Sequence, residues 1–478
     1  MARVRQLALG GALACLLAAA LPGPAAAGTA DVRFYQVVSR SGEPVSVARI
    51  VYRAGLGERN ALSVAVQGSA ATISDPAGVT PGPGCSLPDP TRREVARCSL
   101  GAATAADLRV SLGDRSDAAD VSGELPTNNS AYLGGDVVIA GGRGRDGLSA
   151  GSASGVLSGG PGSDRLRAGT GPVEFRGGSG NDRMIGGPSD DRFEEGRFRN
   201  GHDLMLGGRG EDLVDYGARR RSVRADLRGD PDDGGRGERD LVGANVEHLA
   251  GGAGADRLVG NSRSNRLSGG RARDRLAGRG GADVLAGGRG GDRLAGGSGQ
   301  DLLYGSGGGD RIHGGAGRDQ VFAGPGPDRV VLRDGGLDEV ECGSGRDRLS
   351  LDGLDWFSNP SGGRCERVRR SRPPGAVYLG HREVDVHASE SLAIPIMACP
   401  GDFPGRCMGR VQLLVEGREV GSAGFSVGRS RFEHLRVPLD PAVWRRTRES
   451  PPVPATLVVR VQDARGHAVT RSTAVELR

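Results

Sequence analysis

Between about residues 250 and 335 the chain places an aliphatic side chain at every ninth position. These residues are Leu258, Leu267, Leu276, Leu285, Leu294, Leu303, Ile312, Val321 and Val330. Each one is predicted to face inward from a very short strand whose two neighbouring residues face outward. A fixed period of this length indicates a stacked repeat architecture.

Patterns of strand composition without this period flank the repeats. They predict an N-terminal β-rich cap at 28–133 and, after a Pro- and Arg-rich linker at 369–374, a small C-terminal β-sandwich of immunoglobulin-like type at 375–478. The repeat region between them is predicted to span 134–368, with a non-repeat insertion at about 216–250.

One complete unit, residues 159–167, reads Gly-Gly-Pro-Gly-Ser-Asp-Arg-Leu-Arg. The glycines permit turns with positive φ, and the Asp at the sixth position supplies a hard carboxylate oxygen. Two units would form one coil of about 18 residues, so that residues 18 apart stack at about 4.8 Å. Stacked turns of this kind bring carboxylates and backbone carbonyls together, which is the oxygen environment that Ca²⁺ prefers.

The units follow G-G-x-G-x-D-x-U-x and resemble the RTX, or hemolysin-type, calcium-binding repeat over roughly residues 134–355. The resemblance implies an all-β protein built on a parallel β-roll, a nonapeptide-repeat solenoid whose stacked Asp and turn carbonyls share several Ca²⁺ ions. It also implies folding that often depends on calcium. Carried over position by position, it implies metal ligation by Asp146, Asp164, Asp182, Asp191, Asp212, Asp256, Asp274, Asp283, Asp292, Asp301, Asp310, Asp319, Asp328, Asp338 and Asp347.

Three units depart from the pattern, because Gly155, Val173 and Asn265 stand where Asp is expected. The insertion divides the repeats into a first array, from Asp146 to Asp212, and a second array, from Asp256 to Asp347. With a constant spacing of 18, calcium is expected on one edge of the first array, with the other edge largely bare. In the second array it is expected on both edges. The alternative is that some turns hold no metal and their Asp side chains accept only backbone hydrogen bonds.

The N-terminus has the features of a secretory signal peptide at 1–27, with Arg3 and Arg5 before an apolar stretch and small residues at 25–27. The predicted location is therefore extracellular, including the cell surface, and no segment is predicted to span a membrane. Six cysteines remain after cleavage. In an oxidising environment they are predicted to pair locally as Cys85–Cys98, Cys342–Cys365 and Cys399–Cys407.

The net charge is +5, and the glycine content, 85 of 478 residues, reflects the repeats. No nucleic-acid partner is predicted, because the arginines are spread along the chain without a recognition motif. In the second array, however, arginines 18 apart would form a ladder on one outer face, which makes an anionic wall polymer or polysaccharide a candidate partner. The opposite face is largely apolar.

Two sequence matches to catalytic motifs are rejected. Residues 147–151 fit G-x-S-x-G and residues 142–147 fit G-x-G-x-x-G, but both lie in the repeat register and not at the strand–helix turns that those motifs require. The chain is therefore predicted to be a secreted or wall-associated calcium-binding protein and not an enzyme. The alternative is an adhesin or carbohydrate-binding module in which the roll is a calcium-dependent spacer.

Overall fold

The fold is given by a computed structural model, which describes residues 27–38, 44–103, 105–123, 136–334, 336, 338–351, 355–358, 364–370, 378–379, 383–387, 392–394, 396–398, 407–427, 432–434, 437–449, 453–462 and 468–477. Residues 1–26 of the predicted signal peptide and residues 371–374 of the predicted linker lie outside these residues. The chain divides into two compact units, residues 1–171 and 172–478.

The first unit contains thirteen strands: β1 Gly28–Val38, β2 Pro44–Arg53, β3 Ala61–Gln67, β4 Ala70–Ser74, β5 Val79–Pro81, β6 Cys85–Ser86, β7 Val95–Ser99, β8 Ala105–Ser111, β9 Ala118–Gly123, β10 Asp136–Ala140, β11 Gly147–Ser149, β12 Ser154–Pro161 and β13 Arg165–Arg167. They form two sheets, ordered β5-β1-β2-β8-β10-β12 and β6-β7-β4-β3-β9-β11-β13. Pairing is antiparallel in the hairpins β1–β2 and β3–β4 and becomes parallel at β8 and β9. The cap therefore passes directly into the stacked coils.

The disulfide Cys85–Cys98 joins β6 to β7, which confirms the first predicted pair. Cys342 is also disulfide-bonded. The side chains of Cys365, Cys399 and Cys407 lie outside the described residues, so the pairs Cys342–Cys365 and Cys399–Cys407 stay predictions.

In the second unit, the repeats form two faces of parallel strands. The continuous face is a single sheet of β14 Val173–Ser179, β16 Arg192–Glu194, β18 Leu213–Asp215, β22 His248–Ala250, β24 Arg266–Arg271, β26 Val284–Arg289, β28 Leu302–Gly307, β30 Gln320–Phe322, β32 Glu339–Glu341 and β34 Trp356–Ser358, in that order. It runs without interruption past residues 216–250. The predicted insertion therefore contributes a strand to this face instead of leaving the sheet.

The split face consists of two sheets. The first contains β15 Arg183–Ile185, β17 Leu204–Leu206 and β21 Leu241–Val242. The second is ordered β20-β19-β23-β25-β27-β29-β31-β33-β35, and its strands are β19 Val223–Asp226, β20 Gly234–Gly235, β23 Arg257–Val259, β25 Arg275–Gly280, β27 Arg293–Ser298, β29 Arg311–Ala316, β31 Arg329–Leu332, β33 Arg346–Leu351 and β35 Arg364–Arg370. Residues 216–250 thus break the hydrogen-bonded ladder on one face only.

The interior of the roll is the aliphatic column read from the sequence. All nine residues from Leu258 to Val330 are buried, with at most 2% of their surface exposed. Nearer the start of the second unit, Phe175 and Phe193 occupy the equivalent positions and stack with ring centroids 4.9 Å apart. The strong parallel pairing and the β-rich content confirm the all-β β-roll prediction.

The C-terminal region is formed by β36 Tyr378–Leu379, β37 Glu383–His387, β38 Leu392–Ile394, β39 Ile396–Ala398, β40 Cys407–Val415, β41 Arg418–Val427, β42 Phe432–His434, β43 Val437–Pro438, α1 Pro441–Glu449, β44 Val453–Gln462 and β45 Ala468–Leu477. A seven-stranded sheet is ordered β41-β40-β44-β45-β37-β38-β43, beside a three-stranded sheet β36-β39-β42. Alternate residues such as Val411, Leu413 and Leu457 form its apolar core. Within the described residues, α1 is the one helix, and no helix is long and apolar enough to cross a membrane.

Candidate metal sites in the turns

Fourteen of the fifteen predicted aspartates lie in the turns, directly before a short strand, and Asp347 is the second residue of β33. Each of the fifteen is buried, with at most 2% of its surface exposed. Asp256, Asp274, Asp292, Asp310 and Asp328 lead into the split face, where Asp347 also lies, whereas Asp283, Asp301, Asp319 and Asp338 lead into the continuous face. The second array therefore has a row of carboxylates along each edge.

One oxygen of each carboxylate holds neighbouring coils together. The backbone N–H of Asp274 donates to Oδ1 of Asp292 at 2.8 Å, and the N–H of Asp292 donates to Oδ1 of Asp310 at 2.8 Å. The same bond recurs along both edges of the second array and, in the first unit, from Asp146 to Asp164. Oδ1 thus accepts a backbone hydrogen bond, as the metal-free alternative predicts for these side chains.

The second oxygen, Oδ2, accepts no hydrogen bond in ten of the fifteen aspartates. It is buried and has no hydrogen-bond partner in Asp146, Asp212, Asp274, Asp283, Asp292, Asp301, Asp310, Asp319, Asp328 and Asp338. A buried carboxylate oxygen without a partner is costly unless a cation or donor reaches it. These ten oxygens therefore fit metal ligation.

The first glycine of each unit provides the space for this oxygen. A Cβ at Gly287 would lie 2.6 Å from Oδ2 of Asp292, and one at Gly278 would lie 2.1 Å from Oδ2 of Asp283. Both distances are shorter than any real Cβ contact, so only glycine leaves the oxygen its place. The second glycine has a different function, since Gly288 has a φ of 96°, which favours glycine.

Two predicted ligands differ from the others. In Asp191 and Asp256, Oδ2 accepts the N–H of Gly187 and Gly252, each at 2.7 Å, in addition to the bond to Oδ1. Both oxygens are therefore satisfied by backbone donors. These two side chains fit the metal-free alternative and not the ligand assignment.

Burial raises the pKa of these carboxyl groups. The pKa of Asp274, Asp283 and Asp328 is raised to about 7, and that of Asp338 to about 8, mainly by desolvation. The bond from the preceding coil's N–H works in the opposite direction but is the smaller effect. Ionised carboxylates are thus unfavourable in these turns until a cation balances them.

The first array departs from the expected spacing. Three additional residues in the loop 195–203 make Asp182 stack on Asp203, and Asp191 on Asp212, at separations of 21 residues. Asp191 lies on the edge of Val173 at the expected separation of 18, where the N–H of Val173 donates to it, and Asp212 follows on the same edge after the additional residues. Asp212, whose Oδ2 has no hydrogen-bond partner, is thus a candidate ligand on the edge that was expected to be largely bare.

Several further acidic residues belong to the same rows of turn carboxylates and were not predicted from the sequence. Asp203 and Asp240 continue the edge of Asp182, and Glu247 takes the place of Asp after Asp212. Asp117 precedes the first predicted ligand, and Asp355 closes the last coil. The signal for Asp240 and Glu247 was their position directly before Leu241–Val242 and His248–Ala250, within the segment interpreted as an insertion.

A buried arginine lies where the split face is interrupted. Nη2 of Arg219 donates to Oε2 of Glu195 at 2.9 Å and to Oδ1 of Asn200 at 2.6 Å, and Nη1 donates to Oε1 of Glu238 at 3.0 Å. Coulombic attraction and hydrogen bonds from the two glutamates raise the pKa of Arg219 despite its desolvation. This guanidinium balances part of the acidic charge between the two arrays.

One further acidic cluster lies in the same interruption. Among the described residues, Asp226, Asp232 and Asp233 have carboxylate oxygens within 4.8 Å of one another. Both oxygens of Asp233 accept backbone N–H groups, and Asp226 accepts a two-pronged bond from Arg228. These carboxylates already have partners and are not counted among the sites in the turns.

The donor set suits a hard divalent cation. Carboxylate oxygens and turn carbonyls are the ligands of Ca²⁺, whereas Zn²⁺ prefers nitrogen and sulfur. When bound, the ion would supply positive charge to several buried carboxylates at once. The ten aspartates with an unpartnered Oδ2, together with the carbonyls of their turns, are the residues that would hold it.

Comparison with known families agrees with the geometry. The model of the RTX calcium-binding nonapeptide repeat (four copies) matches residues 158–193, 243–262, 259–294 and 295–330. No curated protein matches the chain. Repeats of this family are generally structural and calcium-binding rather than catalytic. The chain thus contains RTX calcium-binding repeats, in four matched copies within residues 158–330.

Proposed function

We propose that this chain is a secreted, non-enzymatic calcium-binding protein whose β-roll is stabilised by Ca²⁺ held between stacked turns. The observation that carries the proposal is the row of buried, unpartnered Oδ2 atoms along both edges of the second array. Secretion rests on the signal-like N-terminus of the sequence.

Calcium stabilises this roll because it binds the folded turns and not the open chain. The stabilisation grows as RT ln(1 + [L]/Kd) for each site, about 2.7 kcal/mol at a concentration 100 times Kd. The second array has eight aspartates with an unpartnered Oδ2: Asp274, Asp283, Asp292, Asp301, Asp310, Asp319, Asp328 and Asp338. We therefore expect the larger calcium effect in the segment 251–350 and a smaller one before residue 216.

The experiment is a calcium titration of the chelated full-length protein, followed by circular dichroism and titration calorimetry. We expect saturable calcium binding and a rise in Tm, with a much weaker effect of Mg²⁺, which requires a tighter octahedral site. Absence of any calcium-dependent change in both heat and Tm would contradict the proposal.

Two double variants localise the binding. Asp292→Asn with Asp310→Asn removes two candidate ligands from one edge, and we expect fewer bound ions and a smaller calcium-induced rise in Tm. Asp120→Asn with Asp230→Asn removes the same charge from exposed positions outside the second array. An equal loss of calcium binding in both variants would show that the ions respond to net charge and not to the turns.

A further inference from the structure

Among the side chains that the structure describes, seven arginines stand in register on the outer surface of the split face. Strand pairing places Arg224, Arg257, Arg275, Arg293, Arg311, Arg329 and Arg348 directly opposite one another in successive strands. All seven are exposed. We call the six from Arg257 to Arg348 the arginine ladder; its neighbouring rungs are about 4.8 Å apart.

The protein itself leaves this charge unbalanced. In the described part of the chain, none of the six ladder arginines has a carboxylate oxygen within 4 Å, whereas Arg224, at the end of the row, pairs with Asp232 at 2.8 Å. The adjacent outward column contains no acid: it consists of Val259, Ala277, Ala295, His313, Val331 and Ser350. The nearby aspartates of the turns are buried, and their Oδ1 atoms accept backbone N–H groups.

Arginine-rich composition alone does not explain the ladder. The same repeat position on the continuous face holds His248, Arg266, Val284, Leu302, Gln320 and Glu339. That is one arginine in six, in the same coils and with the same overall composition. The arginines are thus concentrated on one face, although like charges directly opposite one another destabilise a sheet.

We propose that the arginine ladder binds a linear anionic polysaccharide that lies along the axis of the roll. Successive carboxylate or sulfate groups of the polymer would meet successive guanidinium groups, each of which presents a planar pair of donors suited to such oxyanions. The small side chains of Ala277 and Ala295 leave the guanidinium groups accessible from the neighbouring column. Neutralisation of several rungs by one chain removes their mutual repulsion.

The surface fits a polysaccharide better than a nucleic acid. Single strands are held by aromatic side chains on which successive bases stack, and among the described residues neither outward column of this face contains Phe, Tyr or Trp. The six rungs span about 24 Å, five intervals of about 4.8 Å. The affinity per bound protein molecule should therefore rise with oligosaccharide length until the oligosaccharide covers this span. Longer oligosaccharides should give no further increase.

The test uses the full-length calcium-loaded protein and chondroitin sulfate, with neutral dextran and oligo(dT) as comparison polymers. The ladder variant is Arg275→Gln, Arg293→Gln and Arg311→Gln. Its matched control is Arg165→Gln, Arg183→Gln and Arg266→Gln, which removes three exposed arginines at the same repeat position outside the ladder. The calcium-induced change in Tm is measured for each protein as a check of the fold.

We expect wild-type binding to chondroitin sulfate that weakens with salt. The ladder variant should lose at least tenfold in affinity, and its salt dependence, the slope of log K against log salt, should fall by up to about 2 because each contact contributes at most about 0.7. The control should stay within twofold of the wild type. Calcium stabilisation should be the same in all three proteins, since no candidate ligand is changed.

Three results would overturn the inference. If the wild-type protein binds chondroitin sulfate no better than dextran, an anionic polysaccharide is not the ligand of this face. Equal losses in the ladder variant and the control would show a response to net charge alone. Tighter binding of oligo(dT) than of chondroitin sulfate of equal charge would assign the face to nucleic acid. None of these results bears on calcium binding, which is measured separately.

Discussion

Replacing Asp283 by Asn separates the two roles of a turn carboxylate. Oδ1 of Asp283 accepts the N–H of Asn265 at 2.7 Å, and an amide oxygen can take over this bond. Oδ2 is buried without a partner, so Asn at this position removes a buried charge and a candidate calcium ligand together. The chain already contains the replacement one coil earlier, where Nδ2 of Asn265 donates to the carbonyl of Glu247 at 3.2 Å.

The expected effect changes sign with calcium. Burial raises the pKa of Asp283 from 3.8 to about 7. At 1.36 kcal/mol for each unit, ionisation at pH 8 costs the folded chelated protein at most about 4 kcal/mol relative to the unfolded chain. Asp283→Asn should therefore raise the free energy of unfolding by about 1–4 kcal/mol in chelator at pH 8, and lower it in excess calcium.

The pH dependence provides an internal check of the same reasoning. Because the folded-state pKa is raised, the folded protein binds more protons than the unfolded chain between about pH 4 and pH 7, and stability falls as the pH rises through this range. Below about pH 4 the carboxyl group is protonated in both states. The advantage of Asn in chelator should therefore fall by more than half between pH 8 and pH 5, and nearly vanish at pH 4.

The measurement is urea unfolding of wild type and variant, followed by circular dichroism, in chelator and in calcium at each pH. Asp256→Asn is the matched control, because both oxygens of Asp256 accept backbone N–H groups. We expect its effect on stability to be similar with and without calcium. If Asp283→Asn also behaves alike in both conditions, Oδ2 of Asp283 does not bind the ion and the assignment is refuted.

Three further substitutions probe other parts of the roll. Arg219→Met leaves buried glutamates without their cation and should lower the free energy of unfolding by about 3–5 kcal/mol, to the same extent in chelator and in calcium. Gly287→Ala places a Cβ 2.6 Å from Oδ2 of Asp292 and should reduce the number of bound calcium ions in calorimetry; an unchanged stoichiometry would contradict the proposed site. Arg279→Gly relieves a φ of 83° and should raise the free energy of unfolding by about 1 kcal/mol; a decrease would show that its side chain outweighs the backbone strain.

The regular part of the fold could be predicted from sequence because its period is constant. Leu258 to Val330 recur every nine residues, and that spacing alone places them inside and the intervening arginines outside. The loop around Asn200 could not be interpreted in the same way. Its three extra residues shift the stacking partner of Asp182 to Asp203, and a fixed interval of 18 does not detect this.

The hydrogen-bonding roles of individual aspartates could not be predicted from the sequence for a different reason. Asp256 and Asp274 occupy the same repeat position and are equally buried, yet only Asp256 receives a second N–H from its own turn. The difference depends on the backbone. The strands β24 to β29 extend into the second and third positions of the next unit, so those residues pair with a neighbouring strand, as Gly270 pairs with Gly288. Aspartates at the same repeat position therefore occur in two hydrogen-bonding states.

The bond between coils also gives the roll a direction. In every such pair the earlier coil supplies the N–H and the later coil supplies the carboxylate, as in Asp310 and Asp328. The bond from each coil thus requires the coil that follows it, and on the continuous face the described residues carry this series as far as the bond from Asp338 to Asp355 at 3.3 Å. When the chain is synthesised from its N-terminus, each newly formed coil lacks the acceptor for this N–H until the aspartate of the next coil has been added. The two ends of the roll are therefore not equivalent. Deletion of C-terminal coils should remove the carboxylate that the preceding coil requires, so that the roll loses coils successively from this end.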